Sequence, residues 1–140
     1  MVAQRCNWLT KLRVLVAEDH AVVRTSVVRL LSKNYDVVGI VSNGQALLEA
    51  VEKLEPDVLV VDVSLPIISG FEAANILKRT ERPSKIVFLT VHNDPDFVRA
   101  ARDAGALGYV LKQQMNTDLP EAIEKASAGE YFTSPSVRGL

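Results

Sequence analysis

Apolar residues recur along the chain in five short, unbroken runs: Val14-Leu15-Val16-Ala17, Val37-Val38-Gly39-Ile40-Val41, Val58-Leu59-Val60-Val61, Ile86-Val87-Phe88-Leu89 and Gly108-Tyr109-Val110-Leu111. None alternates apolar with polar, as a strand with one wet face does. Continuous runs of this length predict strands covered on both faces, the condition of a parallel sheet flanked by helices. The segments between them carry helical spacing instead: Val23, Val27, Leu30 and Leu31; Leu47, Ala50, Val51 and Leu54; Phe71, Ala74 and Leu77; Phe97, Ala101 and Ala104; Leu119, Ile123 and Ala126. Each set forms one apolar stripe to lay on a sheet. Asp94-Pro95 predicts a capped helix start with proline in the first turn, and Gly105 and Gly129 suit helix ends where the backbone turns left-handed.

Strands and helices alternating in this way predict a doubly wound α/β domain, because right-handed crossovers put helices on both faces of the sheet. The expected form is a flavodoxin-like, five-stranded parallel sheet in the order 2-1-3-4-5, with its ligand site beyond the carboxyl ends of strands 1 and 3. No internal repeat or low-complexity tract interrupts the pattern. Residues 1–11 lack periodicity and read as an N-terminal arm containing Trp8; residues 12–130 form the domain; residues 131–140, with Ser134-Pro135-Ser136, read as a tail or the start of a linker.

Composition narrows the function classes. With 48% hydrophobic and 24% charged residues the 140-residue chain is ordinary for one folded domain. A net charge of −1 argues against direct binding to nucleic acid or anionic lipid. No apolar run approaches the roughly 18 residues of a membrane helix, and residues 1–7 lack the apolar core of a signal peptide. Cys6 is the sole cysteine, so no internal disulfide forms, and the cytoplasm is the expected compartment.

The residues that follow the strands carry the chemistry. Strand 1 leads into Glu18-Asp19, strand 3 into Asp62, strand 4 into Thr90 and strand 5 into Lys112, all on one edge of the sheet. Strands 1 and 3 are neighbours in the predicted order, so Glu18, Asp19 and Asp62 converge. Two like charges at 4 Å repel by about 4 kcal/mol at an effective dielectric near 20. Either one carboxyl stays protonated or a cation joins them. Oxygen ligands alone select a hard divalent ion such as Mg²⁺. An ammonium and a hydroxyl beside them complete a site suited to a phosphoryl group, with a carboxylate as nucleophile. A phosphatase built on an Asp nucleophile usually carries a second Asp two residues on; that position is Ser64.

These residues resemble the receiver domains of bacterial two-component response regulators. The likeness rests on Glu18-Asp19, on Asp62 with Leu65-Pro66 and Ser69-Gly70 behind it, on Leu89-Thr90, and on Tyr109-Val110-Leu111-Lys112. Ala17-Glu18-Asp19-His20, Val91-His92-Asn93-Asp94-Pro95 and Gly129-Glu130-Tyr131-Phe132-Thr133-Ser134-Pro135 are similar to the NarL/LuxR branch. The resemblance implies that Asp62 is the phosphoacceptor, and that Glu18, Asp19, Asp62 and the Ser64 carbonyl hold Mg²⁺. It further implies that Thr90 and Lys112 contact the phosphoryl oxygens and that Thr90 and Tyr109 form a switch pair. The implied partners are a histidine kinase or phosphotransfer protein and a second copy of the chain, the exposed helix face with Arg99, Arg102 and Asp103 being one place for a contact. Many members of that branch continue into a helix-turn-helix module; the eleven residues after Gly129 are too few for one. The expectation is therefore a phosphorylation-operated switch, not an enzyme with external turnover, controlling transcription through a domain absent here or acting as a stand-alone phosphorelay or protein-interaction module. Two positions depart from the common pattern: Gln113 follows Lys112 where many receivers have proline, and Val91 stands where many have a smaller residue.

Overall fold

The four central strands of the sheet in the computed structural model, which describes residues 11–137, each feed two cores at once. The strands are β1 (Arg13–Ala17), β2 (Asp36–Val41), β3 (Val58–Asp62), β4 (Lys85–Thr90), β5 (Gly108–Leu111) and β6 (Phe132–Thr133). Leu15, Ala17, Leu59, Val61, Phe88, Tyr109 and Leu111 enter one apolar cluster, while Val14, Val16, Val58, Val60, Val87, Leu89 and Val110 enter the other. Successive side chains of a strand point to opposite faces, so burial on both faces requires the unbroken apolar runs seen in the sequence.

The first core is covered by α2 (Gly44–Leu54), α3 (Gly70–Arg79) and α4 (Pro95–Asp103), through Leu47, Val51, Ala73, Ala74, Leu77 and Ala101. The second is covered by α1 (Ala21–Leu31) and α5 (Met115–Ser127), through Val27, Leu31, Leu119, Ala122, Ile123 and Ala126. Helices thus lie on both faces, as the periodicity predicts. Asp94 caps α4 by accepting from Asp96 N, with Pro95 in the first turn, and Gly105 and Gly129 take positive φ values of 94° and 80° after α4 and α5. Asn43 and Ser69 cap α2 and α3 in the same way as Asp94, accepting from Ala46 N and Glu72 N.

The sheet is parallel throughout, in the order β2-β1-β3-β4-β5-β6. The expected order is present, but there are six strands, not five. Phe132 and Thr133 pair in parallel with Gly108 and Tyr109, inside the segment read as a tail. That segment stays down because Phe132, Ser134 and Val137 are buried. Residues 1–10, with Cys6 and Trp8, lie outside the described residues, as do residues 138–140. Among the described residues no helix is long and apolar enough to cross a membrane.

Candidate functional site

The register of the sheet decides what meets at its carboxyl edge. Ala17 lies opposite Val61, and Asp62 opposite Leu89, so β1 ends where Asp62 closes β3. Glu18 follows β1 directly and its N–H donates to Val41 O at 3.0 Å, which turns the chain over the end of the sheet. Its side chain is 1% exposed and therefore points inward, whereas that of the adjacent Asp19 is 34% exposed. Asp62 is buried at 3% exposure, and its Oδ1 accepts from Ser64 N at 3.1 Å. Gly70 allows the start of α3 to press against this turn, since a Cβ there would sit 2.5 Å from Asp62 O.

Lys112, the first residue after β5, reaches back across the edge. Its Nζ donates to Glu18 Oε2 at 3.2 Å, lies 3.2 Å from Glu18 Oε1 and stands 3.4 Å from Asp62 Oδ2. One ammonium thus serves two buried carboxylates. Burial, and after it the negative charge of Asp62, raise the Glu18 carboxyl above its ordinary value, outweighing the opposing pull of the His20 N–H and Lys112. Glu18 Oε1 remains the one buried side-chain oxygen among the described residues without a hydrogen-bond donor.

That orphaned oxygen and its neighbours suit a hard cation. Ligand atoms from Glu18, Asp19, His20 and Asp62 all lie within 4.8 Å of one another. Three are carboxylates, the donor type that selects Mg²⁺ over softer metals. His20, whose side chain is 71% exposed, brings Nδ1 to 3.5 Å from Glu18 Oε2 and 3.7 Å from Asp19 Oδ1. It joins the cluster from the β1–α1 connection, where it is the residue just before α1. Ser64 lies on the turn after Asp62 and is exposed.

Thr90 ends β4 and is buried, its Oγ1 accepting from His92 N at 3.1 Å. Tyr109 lies inward at 2% exposure, and its hydroxyl donates to His92 O at 2.7 Å. Thr90 and Tyr109 therefore hold the backbone N–H and C=O of one residue, His92, whose ring packs 4.4 Å from that of Phe97. Burial raises the Tyr109 hydroxyl to about 12, so it stays protonated and able to donate. Val91, between them, is 63% exposed and stands at the rim. Lys112, Gln113 and Gln114 form one 3-10 turn, and the Lys112–Gln113 bond is trans.

A doubly wound α/β domain with an acidic cluster and a lysine at its switch point belongs to the class of flavodoxin-like receivers. Comparison with known proteins narrows the class to a family. The family model of the response regulator receiver domain matches residues 14–124. The response regulator GacA of Pseudomonas aeruginosa is 35% identical over 128 residues, which are 90% of this chain and 60% of GacA. The signal receiver domain of the putative response regulator NarL from Mycobacterium tuberculosis superposes with a TM-score of 0.83 at 32% identity, over 86% of this chain and 99% of that one. The isolated receiver domain of RcsB from Salmonella enterica serovar Typhimurium, solved in the presence of the phosphomimetic BeF3-, gives 0.83 at 32% identity, over 91% and 96%. The chain belongs to the response regulator receiver domain family, among NarL- and LuxR-type relatives. It spans about 60% of the length of the curated relatives it matches.

Proposed function

We propose that this receiver is a phosphorylation-operated switch in which Asp62 takes a phosphoryl group from a histidine kinase or phosphotransfer protein. The observation that carries this reading is the convergence of Glu18, Asp19 and Asp62 in one cluster whose two buried carboxylates share one ammonium, Lys112 Nζ, with one Glu18 oxygen left without a hydrogen bond. Glu18, Asp19, Asp62 and the Ser64 carbonyl are the groups we assign to a divalent cation, with Mg²⁺ the ion their oxygen chemistry favours. Such an ion supplies positive charge to the carboxylates and to the incoming phosphoryl oxygens.

The chain's own groups do the rest. A carboxylate oxygen of Asp62 forms the new bond to phosphorus while the bond from phosphorus to the donor nitrogen breaks, leaving an acyl phosphate on the protein. Lys112 stays beside Asp62 and offsets charge on the transferred group. Thr90 turns its hydroxyl to a phosphoryl oxygen and gives up the His92 N–H, and Tyr109 follows by leaving the His92 carbonyl. That exchange remodels the surface formed by α4, β5 and α5, the face we assign to a second copy of the chain or to an output domain. The role is that of a signalling domain modifying itself, in the cytoplasm, with transcription control as the output carried by additional domains.

Incubation with Mg²⁺ and a small acyl-phosphate donor should add the mass of one phosphoryl group to the wild type and none to Asp62→Asn. Equal labelling of both proteins rules the assignment out.

A further inference from the structure

Ser134 lies in the segment that the sequence presents as a tail, yet it is 0% exposed. Its hydroxyl donates to Asp118 Oδ2 at 2.7 Å and accepts from the backbone N–H of Leu111 at 3.1 Å. Leu111 is the last residue of β5, and Asp118 stands in the first turn of α5. Only the turn Lys112–Gln114 separates β5 from α5. One buried hydroxyl therefore ties together both ends of the three-residue turn that carries Lys112.

The neighbouring bonds act in the same sense. Ser134 N donates to Tyr109 O at 2.9 Å, and Ser136 Oγ donates to Gln114 Oε1 at 3.0 Å. The other Asp118 oxygen accepts from Thr117 Oγ1 at 3.1 Å. Asp118 is itself 8% exposed, so loss of the serine hydroxyl strands a buried carboxylate oxygen and a strand-end N–H together. Lysine carries its charge on a flexible stem. The place of its ammonium between Glu18 and Asp62 depends on how firmly the turn beneath it is held.

We infer that Ser134, acting with Asp118, is a positioning residue for Lys112, and that docking of the 132–137 segment is linked to occupancy of the phosphoryl site. This rests on the assignment of Asp62 as phosphoacceptor. Coupling of this kind is reciprocal: a docked segment that favours the loaded site must itself be held more firmly when the site is loaded.

The test measures Asp62 phosphorylation in the full chain at saturating Mg²⁺ over a range of acyl-phosphate concentrations. Ser134→Ala should lower the maximal rate about tenfold while moving the half-saturating donor concentration less than about twofold, the signature of misplaced catalytic charge. Asp118→Asn keeps an acceptor for the hydroxyl and should retain most of the rate. Ser134→Ala with Asp118→Ala should fall no further than either alone, because both cut the same link. In the wild type, adding Mg²⁺ and beryllofluoride should slow hydrogen exchange at the Ser134 amide. A wild-type maximal rate in Ser134→Ala, even with a lowered melting temperature, overturns the positioning role, and unchanged exchange overturns the linkage. Absence of labelling in the wild type removes the Asp62 assignment itself and the inference with it.

Discussion

The two edges of the sheet place charged residues at strand ends and treat them oppositely. At the amino edge Arg13 N donates to Asp57 Oδ2 at 2.8 Å, and the Arg13 guanidinium donates to the carbonyls of Leu54 and Glu55 at 2.7 and 3.0 Å. Those bonds close the end of α2 onto β1 and β3. At the carboxyl edge Glu18 and Asp62 are buried against a single lysine, and Glu18 Oε1 meets it as an ion pair without accepting a hydrogen bond. The amino edge also holds a cavity of about 380 Å³ beside Pro56, Arg82 and Pro83, none of which belongs to the acidic cluster. Charge at one edge joins elements of the fold; charge at the other is left incomplete, and that is where a ligand gains most.

Lys112→Ala tests the open edge most severely. It removes the only ammonium among the described residues within 4 Å of both buried carboxylates and should slow Asp62 phosphorylation about 100-fold in a timed acyl-phosphate assay. A rate within threefold of wild type breaks the comparison. Arg13→Ala tests the closed edge. It should cost about 1.5 kcal/mol in urea unfolding, with the phosphorylation rate unchanged. A fall in that rate would mean that the two edges are coupled.

The smallest expected effect is on pH dependence. Glu18 titrates above its ordinary value of 4.5 in the fold, so the folded state holds its proton more tightly than the unfolded chain does. The associated stability is fully present below 4.5 and is lost as pH rises through the raised folded value. Glu18→Gln should flatten that decline and raise the neutral-pH melting temperature of metal-free protein by about 2 °C. Saturating Mg²⁺ should favour the wild type instead. Parallel pH profiles of melting temperature for the two proteins would remove the electrostatic account.

Much of this was legible before any coordinates. Five unbroken apolar runs specify two-faced strands, and five helical stripes specify their covers, because burial periodicity is written directly into residue order. Asp62, Thr90 and Lys112 were legible as strand-end groups for the same reason. The sixth strand was not: Phe132–Thr133 is two residues long, too short for a period, and its partner in β5 is 24 residues away. Ser134 reads as a turn residue until Asp118 and Leu111 are beside it. Glu18 and Asp19 are adjacent and chemically alike, yet one is buried and the other half-exposed.

Sequence alone determined which residue types stand at the ends of which strands, since strand length and spacing are local properties. Tertiary structure decided which of them face one another and at what cost. Only the β1–β3 register buries Glu18 against Asp62, only the reach of the Lys112 turn brings the counter-charge, and only the docking of the 132–137 segment brings the Ser134 hydroxyl to Leu111 and Asp118. Electrostatic energy depends on distance and solvent exclusion, and neither is a property of residue order.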